Sequence, residues 1–199
     1  MSTTTKHATL IQNGVSTPVT DVVAVEESLH IAINGEPFTV TMRTPGNEEQ
    51  LVRGLLYTEE VYRSSDALVF EQIERNSKGF ITSVNVLIPA AQILKDFASS
   101  RNIVSASSCG LCGRTSFEDT ITNNVIVDDA RMDSQLIPNL FRQMRDAQKD
   151  FSQSGGTHAA AAFDEAGNMI GSMEDIGRHN AVDKLIGHLL MKEIGRAHV

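Results

Sequence analysis

A tight-turn pair, Asn34-Gly35, most restricts what the first half of the chain can fold into. Apolar residues alternate with polar ones on both sides of it: Leu29, Ile31 and Ile33 before, and Phe38, Val40 and Met42 after. This alternation has the period of a half-buried strand, and Asn-Gly favours a two-residue hairpin turn. The sequence therefore predicts an antiparallel hairpin here, with a further strand beginning near residue 19.

The remainder of the first half predicts a small α+β region over residues 15–99. Asn47 can cap a helix with leucines on one face. Two more strands are predicted at 67–74 and 80–88, and a brief helix at 90–97. Residues 1–14 are polar and lack periodicity, so we expect a flexible N-terminus before this region.

The second half, residues 100–199, alternates strand and helix signals. A strand is predicted at 102–105, and a long helix from a Ser134 cap to about Phe151. An alanine-rich strand begins after His158 and is predicted to be buried between helices. A strand at 169–173 then leads into a helix that opens near residue 178. This alternation is typical of an α/β sheet domain.

Charge and hydropathy exclude several classes of partner. The net charge is −8 without a cluster of Lys and Arg, which disfavours nucleic acid. No apolar run approaches the roughly 20 residues that span a bilayer. The start of the chain also lacks the apolar segment of a secretory signal. We therefore expect a cytoplasmic protein without membrane segments.

The only two cysteines, Cys109 and Cys112, lie three residues apart in a loop rich in Gly and Ser and are followed by Arg114. A cationic neighbour lowers the pKa of a thiol, and the thiolate is the reactive form. In a reducing compartment such a pair is more often catalytic, redox-active or metal-binding than a structural disulfide. The loop is the predicted site of any sulfur chemistry.

Three chemistries suit this pair. Zinc would need Cys109 and Cys112 together with His158 or His179. A redox dithiol would need the pair on the first turn of a helix. Here the first residue suited to cap a helix is Ser116, so the cysteines would precede the helix. In the third, one thiolate accepts a sulfur atom as a persulfide, which Arg114 helps to keep anionic while the second thiol attacks or shields it.

Two further stretches carry candidate binding residues. Gly156 and His158 lie at the start of the alanine-rich strand. A glycine there permits close approach of a ligand. The histidine could bind a ligand or could equally be a core residue. Arg178, His179 and Asn180 lie at a helix start, which could hold a phosphate or be only a capping network.

The cysteine loop and the candidate binding stretches resemble one family, the FdhD/NarQ family of formate dehydrogenase accessory proteins. The first match is the cysteine loop, Ser105-Ala106-Ser107-Ser108-Cys109-Gly110-Leu111-Cys112-Gly113. The second is Gly155-Gly156-Thr157-His158-Ala159-Ala160 together with Glu174-Asp175-Ile176-Gly177-Arg178-His179-Asn180-Ala181-Val182-Asp183-Lys184-Leu185-Ile186-Gly187.

The resemblance implies a sulfurtransferase that takes sulfur from a cysteine desulfurase. The acceptor would be the molybdenum bis(pyranopterin guanine dinucleotide) cofactor of formate dehydrogenase. Cys109 would carry the persulfide with Cys112 and Arg114 in support, and the chain itself would hold no metal. Gly156, His158, Arg178, His179 and Asn180 would line the guanine dinucleotide site. The implied protein is a homodimer.

The implied fold is a three-layer α/β/α domain similar to cytidine deaminase, preceded by the smaller N-terminal region. The deaminase His-x-Glu is absent at His158, so the likeness does not imply deaminase activity. Family members continue beyond the last helix with further strands, and we expect that the C-terminal part of the family fold is missing here. A zinc-binding hydrolase-like domain and a non-catalytic cofactor-binding chaperone are the alternative functions.

Overall fold

A computed structural model of the chain describes residues 2–64, 66–95, 97 and 132–192. Cys109, Cys112 and Arg114, the predicted strand at 102–105 and the last seven residues lie outside these ranges. The described elements form a mixed α/β fold.

The N-terminus forms a hairpin of two ten-residue strands, β1 (Thr3–Gln12) and β2 (Val15–Ala24). Residues 1–14 were expected to lack regular structure, whereas they form a paired strand over Thr3–Gln12. Asn13 and Gly14 both adopt positive φ, at 53° and 79°, which is the geometry of a type I′ turn. The same Asn-Gly signal that predicted the next hairpin is present here, beside threonine-rich strands that favour β structure.

A four-stranded sheet forms the centre of the first half, from β3 (Glu27–Ile33), β4 (Glu36–Arg43), β5 (Val69–Arg75) and β6 (Ile81–Leu87). The strand order is β4-β3-β6-β5, with β3 and β6 parallel and the other pairs antiparallel. The predicted Asn34-Gly35 hairpin is confirmed, since both residues have positive φ. The Asn34 side chain also bonds the backbone of Ile88, which fixes the turn to the end of β6.

Helix α1 (Glu48–Thr58) supplies the other half of this core. Its buried face packs with the central strands in one cluster that contains Leu29, Ile31, Ile33, Leu51, Val52, Leu56, Val84 and Val86. Asn47 stands at the cap position but adopts the left-handed region at φ 58° and makes no capping bond. The predicted cap is wrong in that detail. The Glu48 carboxylate instead accepts the backbone N–H of Gly46 at 2.8 Å.

Two helical predictions in the rest of the chain need correction. The helix predicted at 90–97 is only a 3₁₀ turn, Ala90–Gln92, because the backbone becomes extended at Ile93, which packs against the core. The predicted long helix is divided into α2 (Ile137–Ala147) and α3 (Lys149–Ser154) by Gln148, at φ −77° and ψ 80°. Its first turn is capped by the Asp133 carboxylate and not by Ser134.

The last elements are β7 (His158–Phe163), β8 (Met169–Asp175) and α4 (Arg178–Met191). β7 and β8 form an antiparallel hairpin that both α2 and α4 contact. The alanine-rich strand is half-buried and not buried as predicted, because within the described ranges no third strand pairs with this hairpin.

Helices α1 and α4 cross at backbone contact and join the two halves of the chain. Gly54 of α1 lies against the Asp183 carbonyl, and Gly187 of α4 lies against the Gln50 carbonyl. A side chain at either glycine would overlap these atoms. The crossing therefore fixes α4, and with it the β7–β8 hairpin, relative to the four-stranded sheet.

Candidate functional site

The start of β7, the end of β8 and the start of α4 meet at one end of the β7–β8 hairpin. His158 pairs in register with Asp175, and two residues separate Asp175 from Arg178 at the start of α4. The fold therefore brings the two predicted binding stretches together, although they are about twenty residues apart in sequence. We call residues 156–158 and 176–180 the hairpin edge.

Three predicted binding residues are exposed at the hairpin edge: Gly156, His158 and Arg178. The interpretation of His158 as a core histidine is therefore wrong. It is the first residue of its strand, where the side chain still projects beyond the packed part of the hairpin. A guanidinium, an imidazole and an open glycine are thus accessible to solvent at this end of the hairpin.

His179 is half-buried and carries an unsatisfied atom. Its Nδ1 is buried and has no hydrogen-bond partner among the described residues. Leaving a buried polar atom without a partner costs about 1–3 kcal/mol, so such atoms are uncommon and need an explanation. The atom is closed to solvent, so a ligand at the edge would reach it only after the imidazole turns.

Asn180 is buried and its side chain is committed to the protein. Its amide nitrogen donates to the Met42 carbonyl at 2.7 Å and to Asp175 at 3.2 Å, and its amide oxygen accepts from Thr41 at 3.3 Å. These bonds tie α4 to β4. They fit the interpretation of Asn180 as part of a structural hydrogen-bond network. Both N–H donors of its amide are already used by the protein, so it supports the hairpin edge.

An ion pair that the sequence did not reveal lies beneath the edge. Lys184 Nζ is 2.7 Å from Asp175 Oδ2, and both side chains are almost completely buried. The ammonium also donates to the Thr44 carbonyl at 2.8 Å, while the Thr44 N–H donates to Asp175 at 3.1 Å. Asp175 further accepts the Gly177 N–H at 2.8 Å. The pair fixes the turn before α4 to the loop after β4.

That loop, residues 44–47, is held by a second buried pair. Arg43 is fully buried and lies 3.0 Å from Glu48, and it also donates to the carbonyls of Glu27 and Ile81. Burial lowers the pKa of Arg43, and the nearby Glu48 carboxylate opposes this shift. The strand pattern gave no signal for Arg43, because the alternation of Phe38, Val40 and Met42 puts it on the opposite face of β4.

A cleft of about 200 Å³ lies between loop 44–47, the α2–α3 junction and β8. Glu174 stands on its wall and accepts the backbone N–H groups of Asp150 and Phe151 and the hydroxyl of Thr157. This carboxylate therefore connects the start of α3 with the residues that precede His158. The sequence pointed to neither the cleft nor this role of Glu174.

The chemistry of the cysteine loop lies beyond the described ranges, so zinc, dithiol and persulfide hypotheses all stay predictions. Within those ranges, no three His, Cys, Asp or Glu side chains gather closely enough to hold a metal ion. None of the described helices is long and apolar enough to span a bilayer.

Comparison with known proteins identifies relatives over most of the chain. A family model for the FdhD/NarQ family matches residues 24–198. A protein of Streptomyces avermitilis is 37% identical over 188 residues, which cover 90% of this chain and 67% of the relative. One of Picrophilus torridus is 38% identical over 184 residues, covering 89% and 67%. One of Mycobacterium tuberculosis is 41% identical over 177 residues, covering 84% and 64%. All three are named sulfur carrier protein FdhD.

The fold also matches a solved structure. The crystal structure of a protein assigned as a formate dehydrogenase accessory protein, from Desulfotalea psychrophila, superposes with a TM-score of 0.70 at 18% identity. The match covers 96% of this chain and 70% of that one. The chain thus spans about two thirds of the length of the relatives it matches. By family model, sequence identity and fold together, it belongs to the FdhD/NarQ family.

Proposed function

We propose that this protein is a sulfur carrier for formate dehydrogenase. It takes sulfur from a cysteine desulfurase and delivers it to the molybdenum bis(pyranopterin guanine dinucleotide) cofactor. The observation that carries this proposal is the family match over residues 24–198, which includes the chain's only two cysteines, together with relatives named as sulfur carriers. The proposed protein is a cytoplasmic homodimer with the three-layer arrangement similar to cytidine deaminase.

The proposed transfer uses both thiols. The Cys109 thiolate attacks the terminal sulfur of the desulfurase persulfide, and the desulfurase thiolate leaves. The Cys112 thiolate then attacks the Cys109 sulfur, so that a disulfide forms between them and the terminal sulfur leaves as sulfide for the cofactor. The two thiols supply the two electrons that this step needs. A cellular dithiol reductant restores them, and Arg114 stabilises the anionic forms.

The hairpin edge is the proposed binding surface for the guanine dinucleotide of the acceptor. The first turn of α4 has no side-chain cap, so its N–H groups can bind phosphate oxygens, and Arg178 lies exposed beside them. His158 is exposed on the same edge, and His179 Nδ1 has no hydrogen-bond partner among the residues that the structure describes. These residues fit an anionic nucleotide. Asn180 would act by holding the first turn of α4 in place.

Restoration of formate dehydrogenase activity in cells that lack their own family member tests the proposal. We expect the wild-type chain to restore activity and Cys109→Ala to give at least a 100-fold lower activity, on the scale of losing a covalent nucleophile. If a variant with both cysteines replaced restores activity fully, the protein is a non-catalytic chaperone and the carrier proposal is wrong.

Binding of guanosine diphosphate tests the hairpin edge separately. Arg178→Ala should weaken binding about 10-fold or more, because a charge-assisted hydrogen bond contributes roughly 1.5–3 kcal/mol. Arg145→Ala is the matched control, since Arg145 is an exposed arginine in the last turn of α2. Calorimetric titration measures both. Equal affinities for the two variants would place the nucleotide site elsewhere.

A further inference from the structure

The dipeptide Asn-Gly occurs twice in the chain, at Asn13-Gly14 and at Asn34-Gly35, and each pair forms the turn of a hairpin. The two turns have nearly the same backbone. Asparagine has φ 53° in both, and glycine has φ 79° in the first turn and 84° in the second. Any difference in reactivity between the two turns must therefore come from the residues around them.

An Asn-Gly pair can react with itself, because glycine has no Cβ to shield its own backbone nitrogen. When this nitrogen loses its proton to hydroxide, it can attack the asparagine Cγ. A bond between the nitrogen and Cγ forms, the Cγ–Nδ2 bond breaks, and ammonia leaves with a proton taken from water. Water then opens the resulting succinimide ring at either carbonyl, which gives aspartate or isoaspartate. The reaction needs no oxidant, reductant or enzyme.

The Asn34-Gly35 turn holds both reacting groups in hydrogen bonds. Asn34 Nδ2 donates to the Ile88 carbonyl at 2.8 Å, and Asn34 Oδ1 accepts the Ile88 N–H at 2.9 Å. The Gly35 N–H, which carries the attacking nitrogen, donates to Asn85 Oδ1 at 2.8 Å. Asn85 lies on β6, a central strand of the four-stranded sheet. The reaction would require these bonds to open within that sheet.

The Asn13-Gly14 turn holds neither group in this way. Both residues are exposed, and neither the Asn13 side chain nor the Gly14 N–H makes a hydrogen bond to the residues that the structure describes. The flanking strands, β1 and β2, pair with each other and with no other described strand. A lone two-stranded hairpin is marginally stable in water, so its turn opens at low cost. Opening lets Asn13 Cγ meet the Gly14 nitrogen.

We infer that Asn13 is a site of spontaneous modification, where the side chain is converted to aspartate and isoaspartate, and that hydrogen bonding protects Asn34. The conversion adds a negative charge at the end of the β1–β2 hairpin. Isoaspartate also places an extra methylene group in the backbone. A type I′ turn cannot accommodate this group without disturbing the pairing of Gln12 with Val15. This inference does not depend on sulfur transfer.

Peptide mass spectrometry of the purified full chain, incubated in mildly alkaline buffer, tests the inference. We expect the peptide that contains Asn13 to gain about 1 Da, the mass difference between an amide and a carboxyl group. The gain should be at least about 10-fold faster than in the peptide that contains Asn34, where hydrogen bonds must open first. An Asn13 peptide that stays intact, or equal rates at the two sites, would overturn the inference.

The same measurement in concentrated urea separates the fold from the flanking sequence. Neither turn is formed there, so the two rates should come within about 3-fold of each other. A ratio of rates that is as large in urea as in the folded protein would show that the neighbouring residues decide it. That result would overturn the protection of Asn34 by the fold.

Two variants test the two sites individually. Asn13→Gly keeps a sequence suited to the turn, because Gly-Gly also permits positive φ at both positions. It should remove most of the isoaspartate that an isoaspartyl methyltransferase labels in the aged chain, and a label of wild-type size would overturn the inference. Asn85→Ala removes the acceptor of the Gly35 N–H and should raise the rate at Asn34 about 5-fold or more.

The rate at Asn13 is the internal control for Asn85→Ala and should stay at its wild-type value. Circular dichroism checks that both variants fold. An unchanged rate at Asn34 in folded Asn85→Ala would contradict its protection by this hydrogen bond. If Asn85→Ala does not fold, the comparison between buffer and urea in the wild-type chain decides the same point.

Discussion

Replacing Lys184 with methionine should lower the free energy of unfolding by about 3–5 kcal/mol, the usual cost of leaving one member of a buried ion pair alone. Lys184 is 1% exposed and Asp175 is fully buried, at an Nζ–Oδ2 distance of 2.7 Å. Methionine preserves most of the side-chain volume, so the change reports mainly on the charge. Urea denaturation followed by circular dichroism measures it.

Two further variants separate the ion pair from a general effect of removing lysine. Lys78→Met makes the same change at an exposed turn position and should alter stability by less than about 0.5 kcal/mol. Asp175→Asn/Lys184→Met removes both charges and should lose less stability than the sum of the single changes. Additive losses, or a Lys184→Met loss as small as that of Lys78→Met, would contradict the buried pair.

Gly54→Ala should destabilise the protein by about 1–3 kcal/mol or more, although alanine normally stabilises a helix interior relative to glycine by up to about 1 kcal/mol. The sign reverses because a Cβ at Gly54 would overlap the backbone carbonyl of Asp183. A backbone atom cannot rotate away as a side chain can, so α1 and α4 must separate. Gly187→Ala should behave in the same way against Gln50.

Gly156→Ala is the matched control for the helix crossing. A Cβ there meets no atom closer than the Ala24 side chain at 3.5 Å, which is an ordinary van der Waals contact. We expect its melting temperature to stay close to that of wild type. If Gly54→Ala instead raised the melting temperature, the close crossing of α1 and α4 would be wrong.

Local signals predicted the elements whose conformation is decided locally. Asn34-Gly35 and the alternation in β3 predicted the hairpin of β3 and β4, because turn geometry and the buried face of β3 both leave a local signal. In β4 the alternation indicated the wrong face near its end, since Met42 is exposed whereas Thr41 and Arg43 are buried. The strands near β5 and β6 were identified in the same way. The Asn13-Gly14 turn carries an equal signal, but the strands beside it are exposed near the turn and so lack the alternation of a buried strand there.

Features decided by distant residues were not predicted. Asn47 was expected to cap α1, yet it takes a left-handed conformation while the Glu48 carboxylate bonds the neighbouring Gly46 and the buried Arg43. Lys184 and Asp175 have Thr44 as a partner from the other half of the chain. No sequence period records such pairings, because each depends on which elements the fold brings together.

The sequence named the residues of the hairpin edge but not how each of them is placed. The motif supplied Gly156, His158, Arg178, His179 and Asn180, and the fold gathers them at one end of the β7–β8 hairpin. Burial then distinguishes them: Arg178 and His158 face solvent, whereas Asn180 serves the packing of α4 against β4. Sequence alone could not make this distinction, since it depends on which side chains the other elements cover.

Mass spectrometry after incubation with a cysteine desulfurase and free cysteine tests the central claim most directly. We expect Cys112→Ala to gain one sulfur atom, which peptide analysis places on Cys109, because the thiol that releases the sulfide is gone. The wild-type chain should show the same persulfide or, after Cys112 has attacked it, the Cys109–Cys112 disulfide. Cys109→Ala should gain none, because the accepting thiolate is gone. A Cys112→Ala chain that remains unmodified, or a sulfur atom gained by Cys109→Ala, would contradict the sulfur carrier proposal.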